Sequence, residues 1–246
     1  MFFYYFRVEI LQKKVKIMVY KEFETVLSKA RLNKYRTACL GDEQKTLELY
    51  LLNVELAKDF HGLLGLFEIA LRNAIDEHYS KHFNDINWLV NQAKKDFFSK
   101  KRNTVIVEFY KLTAIKAYTP SNLIAALSFG VWTEMFTSHC FAKGSQTLLK
   151  IFPNRPKGVN QKCINLELRE IKFLRNKIAH HEHICFNKYE NISADYLETM
   201  RKKILKYFVY LGVSENVVNA FDVSKDNLNQ LRNFNHTDTV TVDIHS

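Results

Sequence analysis

Glycine and proline are scarce, seven and three in 246 residues. A turn-rich β architecture needs such residues at its corners, so their scarcity favours long helices and an all-α fold. No apolar run approaches the roughly 18 residues that a spanning helix requires, so no membrane is expected. The four cysteines, Cys39, Cys140, Cys163 and Cys185, lie far apart with no Cys-x-x-Cys pair. That spacing argues against a disulfide framework or a structural zinc site and fits a reducing cytoplasm. The aromatic start, residues 1–10, contains Arg7 and Glu9 and lacks a small-residue cleavage site, so it does not read as a signal peptide. No repeat of fixed period is present. Acidic residues are outnumbered, 26 against 36 basic ones, for a formal net charge of +10 and a pI near 9.3. Such a balance favours a polyanionic partner through counterion release, although a generally basic, soluble surface explains it equally well. The excess lies in short clusters, Lys94-Lys95, Lys100-Lys101-Arg102 and Arg201-Lys202-Lys203, with no continuous basic tail.

With 47% hydrophobic and 25% charged residues the chain reads as globular and is long enough to bury a substantial core. Residues 42–58 carry two apolar faces, Leu47, Leu51 and Val54 on one and Leu49, Leu52 and Leu56 on the other, with Asp42 placed to cap the start. Residues 60–79 are apolar nearly all round, as befits a central, buried helix. Within them Glu68 and Arg72 stand four apart, acid first, and can pair along one face. Residues 92–117 predict one or two basic, aromatic helices. Thr119-Pro120-Ser121 interrupts the pattern and caps a further helix from about Asn122. Gly130 permits either a close helix approach or a local break. Residues 152–158, with Pro153, Pro156 and Gly158, are the clearest loop. A helix over residues 161–182 follows, and a final core helix over 194–211. The expected organisation is an N-terminal extension at 1–17, a single helical domain at 18–221 and a polar tail at 222–246, loosely attached from Asn233.

On the helix at 161–182, Ile164, Leu168, Ile171, Leu174 and Ile178 form one apolar arc at about 100° per residue, and Asn176, His180 and His183 cluster on another. Arg175 falls inside the apolar arc. Its guanidinium stays charged, so it must either meet a buried acid or emerge where a phosphate satisfies it. An arginine followed by a histidine a few residues later is weak evidence by itself, since Arg72 and His78 also fit. The context is more specific. The run from Leu174 through Arg175-Asn176 and Ala179-His180-His181-Glu182 to Ile184 resembles the motif of HEPN domains, and more narrowly of the bacterial Abi-like (abortive infection) family. Phe67-Glu68-Ile69-Ala70-Leu71-Arg72-Asn73-Ala74-Ile75 resembles that family's first motif helix, and Leu127-Ser128-Phe129-Gly130-Val131-Trp132 its central segment. The order and separation of the three agree, and the resemblance spans roughly residues 18–212. Met18, where it begins, is an alternative start. The resemblance implies a HEPN-type antiparallel helical bundle with additional peripheral helices, acting on RNA in bacterial defence against phage.

These residue types suit cleavage of a phosphodiester by its own ribose. RNA supplies the 2′-OH nucleophile, so no metal or cofactor is expected. An imidazole, whose ordinary pKa lies near neutrality, moves the proton, and a cation stabilises the charged phosphorane. On this reading His180 is the acid/base, Arg175 holds the phosphate and Asn176 orients the imidazole or the phosphate. Glu68, Arg72, Glu182 and His183 support or orient them, and the product ends are a 2′,3′-cyclic phosphate and a 5′-hydroxyl. Two-sided proton transfer wants a second imidazole, which a twofold homodimer supplies, as HEPN relatives do. His181, at the edge of the apolar arc, reads as a packed, hydrogen-bonded residue. A metal site from the neighbouring histidines is disfavoured because adjacent helical residues point about 100° apart. The expected partners are RNA, as substrate and as a regulatory species, a second copy of the chain and an antitoxin. Two alternatives stand beside this one. Arg175, Asn176 and His180 can instead knit the bundle together through Glu68 and Glu182, and the chain can be a non-catalytic helical module that binds RNA or protein.

Overall fold

The structure is a computed structural model and describes residues 20–98, 104–222 and 225–234. The N-terminal extension, the cluster Lys100-Lys101-Arg102 and the tail beyond 234 lie outside the described residues. Among those residues the fold is all-α: twelve helices and a short 3-10 turn, with a lone antiparallel bridge between Phe186 and Ile192 as the only β pairing. The helices are α1 (Tyr20–Leu27), α2 (Lys29–Ala38), α3 (Glu43–Phe83), α4 (Trp88–Ala93), α5 (Thr104–Ala114), α6 (Pro120–Ala126), α7 (Phe129–Glu134), α8 (Ser138–Lys143), α9 (Gln161–Ala179), α10 (Asp195–Tyr210), α11 (Glu215–Phe221) and α12 (Lys225–Asn233).

Local signals place most of these boundaries. The Asp42 carboxylate accepts the Lys45 N–H at 2.9 Å and caps α3. The Thr119 hydroxyl accepts the Asn122 N–H at 3.0 Å ahead of Pro120, the first residue of α6. The Asn160 side chain accepts the Cys163 N–H at 3.1 Å and starts α9. One boundary expected from the pattern is absent. Residues 42–58 and 60–79 are not two helices but parts of the single 41-residue α3. The apolar face shifts along it without any proline to break it, so the shift records a change of packing neighbours and not a turn. The polar segment after 222 also contains order, since Leu228 and Leu231 of α12 are buried.

The chain divides into two compact units, and α3 and α10 each contribute residues to both. The first unit draws its described residues from 20–60, 181–199 and 225–234. Its core gathers Tyr20, Phe23, Leu32 and Leu47, and Tyr35 sets its ring edge-on to Tyr50 at 5.2 Å and to Phe186 at 5.4 Å. The second unit draws on 61–98, 104–180 and 200–222. There the Phe67 ring of α3 meets Phe129 of α7 at 6.0 Å and Tyr207 and Phe208 of α10 at 5.8 and 5.7 Å. The predicted arc of α9, Ile164, Leu168, Ile171, Leu174 and Ile178, is buried throughout. An ion pair between Arg201 and Asp222, both largely buried, ties α10 to the end of α11.

A candidate phosphodiester site around Glu68

Within the second unit the three motif segments meet at one carboxylate. Glu68 lies on α3 one residue after the buried Phe67. It accepts the backbone N–H of Phe129, the first residue of α7. The Ser128 hydroxyl makes no capping bond, so Glu68 takes the place of an N-cap side chain. The same carboxylate faces Arg175 of α9, Oε2 to Nε at 3.9 Å. A Cβ at Gly130, one residue into α7, would stand 3.3 Å from the Nζ of Lys172 on α9, the free end of a flexible side chain that can move aside, and the helix break falls just ahead of it, between Ala126 and Phe129.

Burial of the Glu68 carboxyl raises its pKa, and this outweighs the opposing pull of Arg175, then Arg72, the Phe129 N–H and His61. The ordinary reading of an acid buried in α3, a pair whose loss costs about 3–5 kcal/mol, therefore does not hold. Arg175 keeps 37% of its side chain exposed against 19% for Glu68, and the contact is a long one. Glu68→Gln keeps an acceptor for the Phe129 N–H and removes a charge that burial disfavours, so its expected cost is below about 1 kcal/mol. Glu68→Leu orphans that N–H and is expected to cost about 1–3 kcal/mol. The pH dependence has a defined sign. Because the folded pKa is raised, the folded state binds more protons just above the ordinary carboxylate range, and stability falls as pH rises through that window. Urea midpoints across it should slope for the unsubstituted chain and flatten for Glu68→Gln; equal slopes would show Glu68 to be fully hydrated.

Arg175 resolves its two options by taking a share of each, a half-buried acid on one side and solvent on the other. Among the described residues it donates no hydrogen bond. Arg72, one turn beyond Glu68, is near enough to favour the charged carboxylate but forms no ion pair with it, and its buried Nε has no partner. The expected Glu68–Arg72 pair is therefore a proximity and not a contact. Asn176 is half-buried and His180 exposed, and neither side chain makes a hydrogen bond among the described residues.

The motif helix ends sooner than the wheel implies. It stops at Ala179, with His180 as its C-cap and His180 N–H donating to Asn176 O at 2.9 Å. His181 then adopts φ +55°, a left-handed conformation more usual for glycine. His181 is exposed and not packed. His183 no longer continues the Asn176–His180 face, because no helix extends to it.

The residues after the cap belong to the first unit and are held there by two side chains that the sequence did not single out. The Arg31 guanidinium of α2 donates to the His181 carbonyl. The buried Asn53 side chain of α3 accepts the N–H groups of Ile184 at 2.7 Å and Cys185 at 3.2 Å. The signal for Asn53 was an amide set among leucines. Asn53→Ala leaves two buried donors unmet and is expected to cost about 2–5 kcal/mol in a urea titration; an unchanged midpoint would show that water replaces the amide. His183 sets its ring edge-on to Phe186 at 5.7 Å and lies close enough to Glu190 to favour its charge. Glu182 is exposed and forms no ion pair among the described residues.

Among the described residues no group of three or more His, Cys, Asp or Glu side chains is placed to hold a metal ion, and no helix is long and apolar enough to cross a membrane. Two concavities, one lined by Asp76, Tyr118 and Leu123 and another by Cys39, Asp42 and Phe234, include no motif residue. Of the motif side chains His180 is exposed, whereas Glu68, Arg175 and Asn176 are half-buried.

An all-helical chain with arginine, asparagine and histidine at the exposed end of a helix, backed by a carboxylate from a second, is the class these features define. The chain belongs to the family of Abi-like proteins, whose model matches residues 9–187 and so takes in all three motif segments. No curated protein and no solved structure matches it.

Proposed function

We propose that the protein is a metal-independent RNA endonuclease of the HEPN type, acting in abortive-infection defence. The observation that carries this reading is the state of the motif side chains. Glu68 gathers the three segments, yet Arg175, Asn176 and His180 keep polar groups that no other part of the described chain satisfies. A motif whose purpose was to knit the bundle would spend those groups on internal bonds.

Arg175, oriented by Glu68 and flanked by the cationic Arg72, receives the scissile phosphate and stabilises the charge that builds on it. The His180 imidazole accepts the 2′ proton, or delivers a proton to the departing 5′ oxygen. Asn176, one turn earlier on α9, holds the imidazole or a phosphate oxygen in line. The 2′ oxygen bonds to phosphorus as the bond to the 5′ oxygen breaks, leaving a 2′,3′-cyclic phosphate and a 5′-hydroxyl. Homodimerisation supplies the second imidazole. A regulatory RNA or an antitoxin holds such an activity in check.

Cleavage should persist in excess EDTA, and the products should carry cyclic phosphate ends. A substrate with 2′-H at the cut site should resist cutting, since its nucleophile is gone. Strict dependence on magnesium, or efficient cutting of the 2′-deoxy strand, contradicts the mechanism. Tight RNA binding with no cleavage under any condition supports the non-catalytic binding module instead.

A further inference from the structure

Phe173 lies two turns before His180 on α9 and is 61% exposed. It belongs to a solvent-facing stripe. At about 100° per residue, Lys162, Leu166, Arg169, Phe173, Lys177 and His180 fall within about 80° of one another, opposite the buried arc. Leu166 is 49% exposed on the same stripe. The Lys177 Nζ stands 5.8 Å from the centre of the Phe173 ring.

The charge on this face is unbalanced by construction. The two acids of α9 are consumed on its flank by α10: both oxygens of Glu167 take Lys206 at 2.8 Å, with Tyr207 Oη also donating, and Glu170 takes Lys203. Lys162 and Arg169 form no ion pair among the described residues. A second copy pressed directly on the stripe would set the same cations against themselves. A polyanion neutralises them, and a polyanion whose bases are unstacked also covers the ring.

Resting on the reading of His180 and Arg175 as a ribonuclease site, we infer that Phe173 is the platform for a base next to the scissile phosphate, and that the substrate is an unpaired stretch of RNA. Phe173 precedes Asn176 by one turn and His180 by two, about 4.5 and 10.5 Å along the axis. A base on the ring therefore sets the neighbouring phosphate toward Asn176 and His180, which lie on the same side of α9. Bases within an A-form duplex are stacked on each other and cannot reach the ring. Stacking accepts any base, so the site selects for unpaired structure before sequence.

The test uses the full chain and a fluorescent 12-nucleotide 2′-O-methyl RNA, which lacks the nucleophile, single-stranded or annealed to its complement. The unsubstituted chain should prefer the single strand. Phe173→Ala should weaken single-strand binding about 5- to 100-fold with little change for the duplex, and Phe173→Trp should retain binding, its indole emission quenched by the strand. Equal single-strand affinity for Phe173→Ala and the unsubstituted chain overturns the platform while leaving the nuclease reading intact. Absence of binding by the unsubstituted chain overturns both. A shift from dimer to monomer in Phe173→Ala, with single-strand affinity per chain unchanged, reassigns the stripe to contact between copies.

Discussion

His180→Ala is expected to slow RNA cleavage by about 10²–10⁴-fold, the usual worth of a positioned acid/base, with no change in helical circular dichroism or thermal midpoint. The ring is exposed and bonded to nothing in the described chain, so its loss removes proton transfer and no packing. The structural part of the residue is its backbone N–H, donated to Asn176 O, and alanine keeps it. Arg175→Ala should lower the rate by about 10²–10³-fold, as expected for a lost donor to the developing charge. Its fold should survive as well. A pair at 3.9 Å with more than a third of the arginine exposed is worth at most about 1 kcal/mol. Rates on a labelled RNA, measured beside thermal melts, separate the two roles. A variant that cuts at the unsubstituted rate removes its residue from the site, and an Arg175→Ala chain that unfolds assigns the arginine to the core.

What could be read from the sequence was what local chemistry decides. Thr119-Pro120, Asp42 and the loop at 152–158 act on their own neighbours, and the buried arc of α9 follows from a period of 3.6 residues. The anomaly of an arginine within that arc also pointed correctly to an acid, Glu68, with solvent on the other side. The membership of the family rested on three separated segments, and Glu68 shows why they belong together: it bonds or faces one residue from each of the other two. The missing parts are those set by distant side chains. Nothing near Ala179 announces a helix end, as His181 takes a left-handed turn without glycine and its carbonyl is satisfied by Arg31, 150 positions away in the chain. Asn53 serves Ile184 and Cys185 across a similar span. A helical wheel extends through such a stop because it has no knowledge of tertiary partners, which is how His183 came to share a face with Asn176. The continuity of α3 is hidden in the sequence for the converse reason: its apolar face drifts as the packing neighbours change, and a drift of that kind has the same pattern as a break.

Mixing unsubstituted chains with His180→Ala chains should suppress cleavage well beyond dilution, because the proposed active species places two Arg175/His180 sets across one cleft. Each set has one imidazole at the phosphate, and proton removal and proton delivery occur on opposite sides of it, so one protomer leaves one of the two steps unassisted. With a roughly fourfold excess of the variant and free exchange, about 4% of dimers join two unsubstituted chains, whereas independent sites would retain about 20% of the activity. The comparison is made at constant total protein after subunit exchange, with dimerisation followed by sedimentation. Activity that tracks the 20% line, or a monomer that cuts at full rate, sinks the composite site. Another imidazole of the same chain would then serve, with His183 one candidate and His61 another: His61 shares a face of α3 with Glu68 at seven residues' spacing and acts on that carboxylate's charge. His61→Ala in a monomeric enzyme would then lose one limb of the pH–rate profile, whereas in a dimer with a composite site both limbs persist.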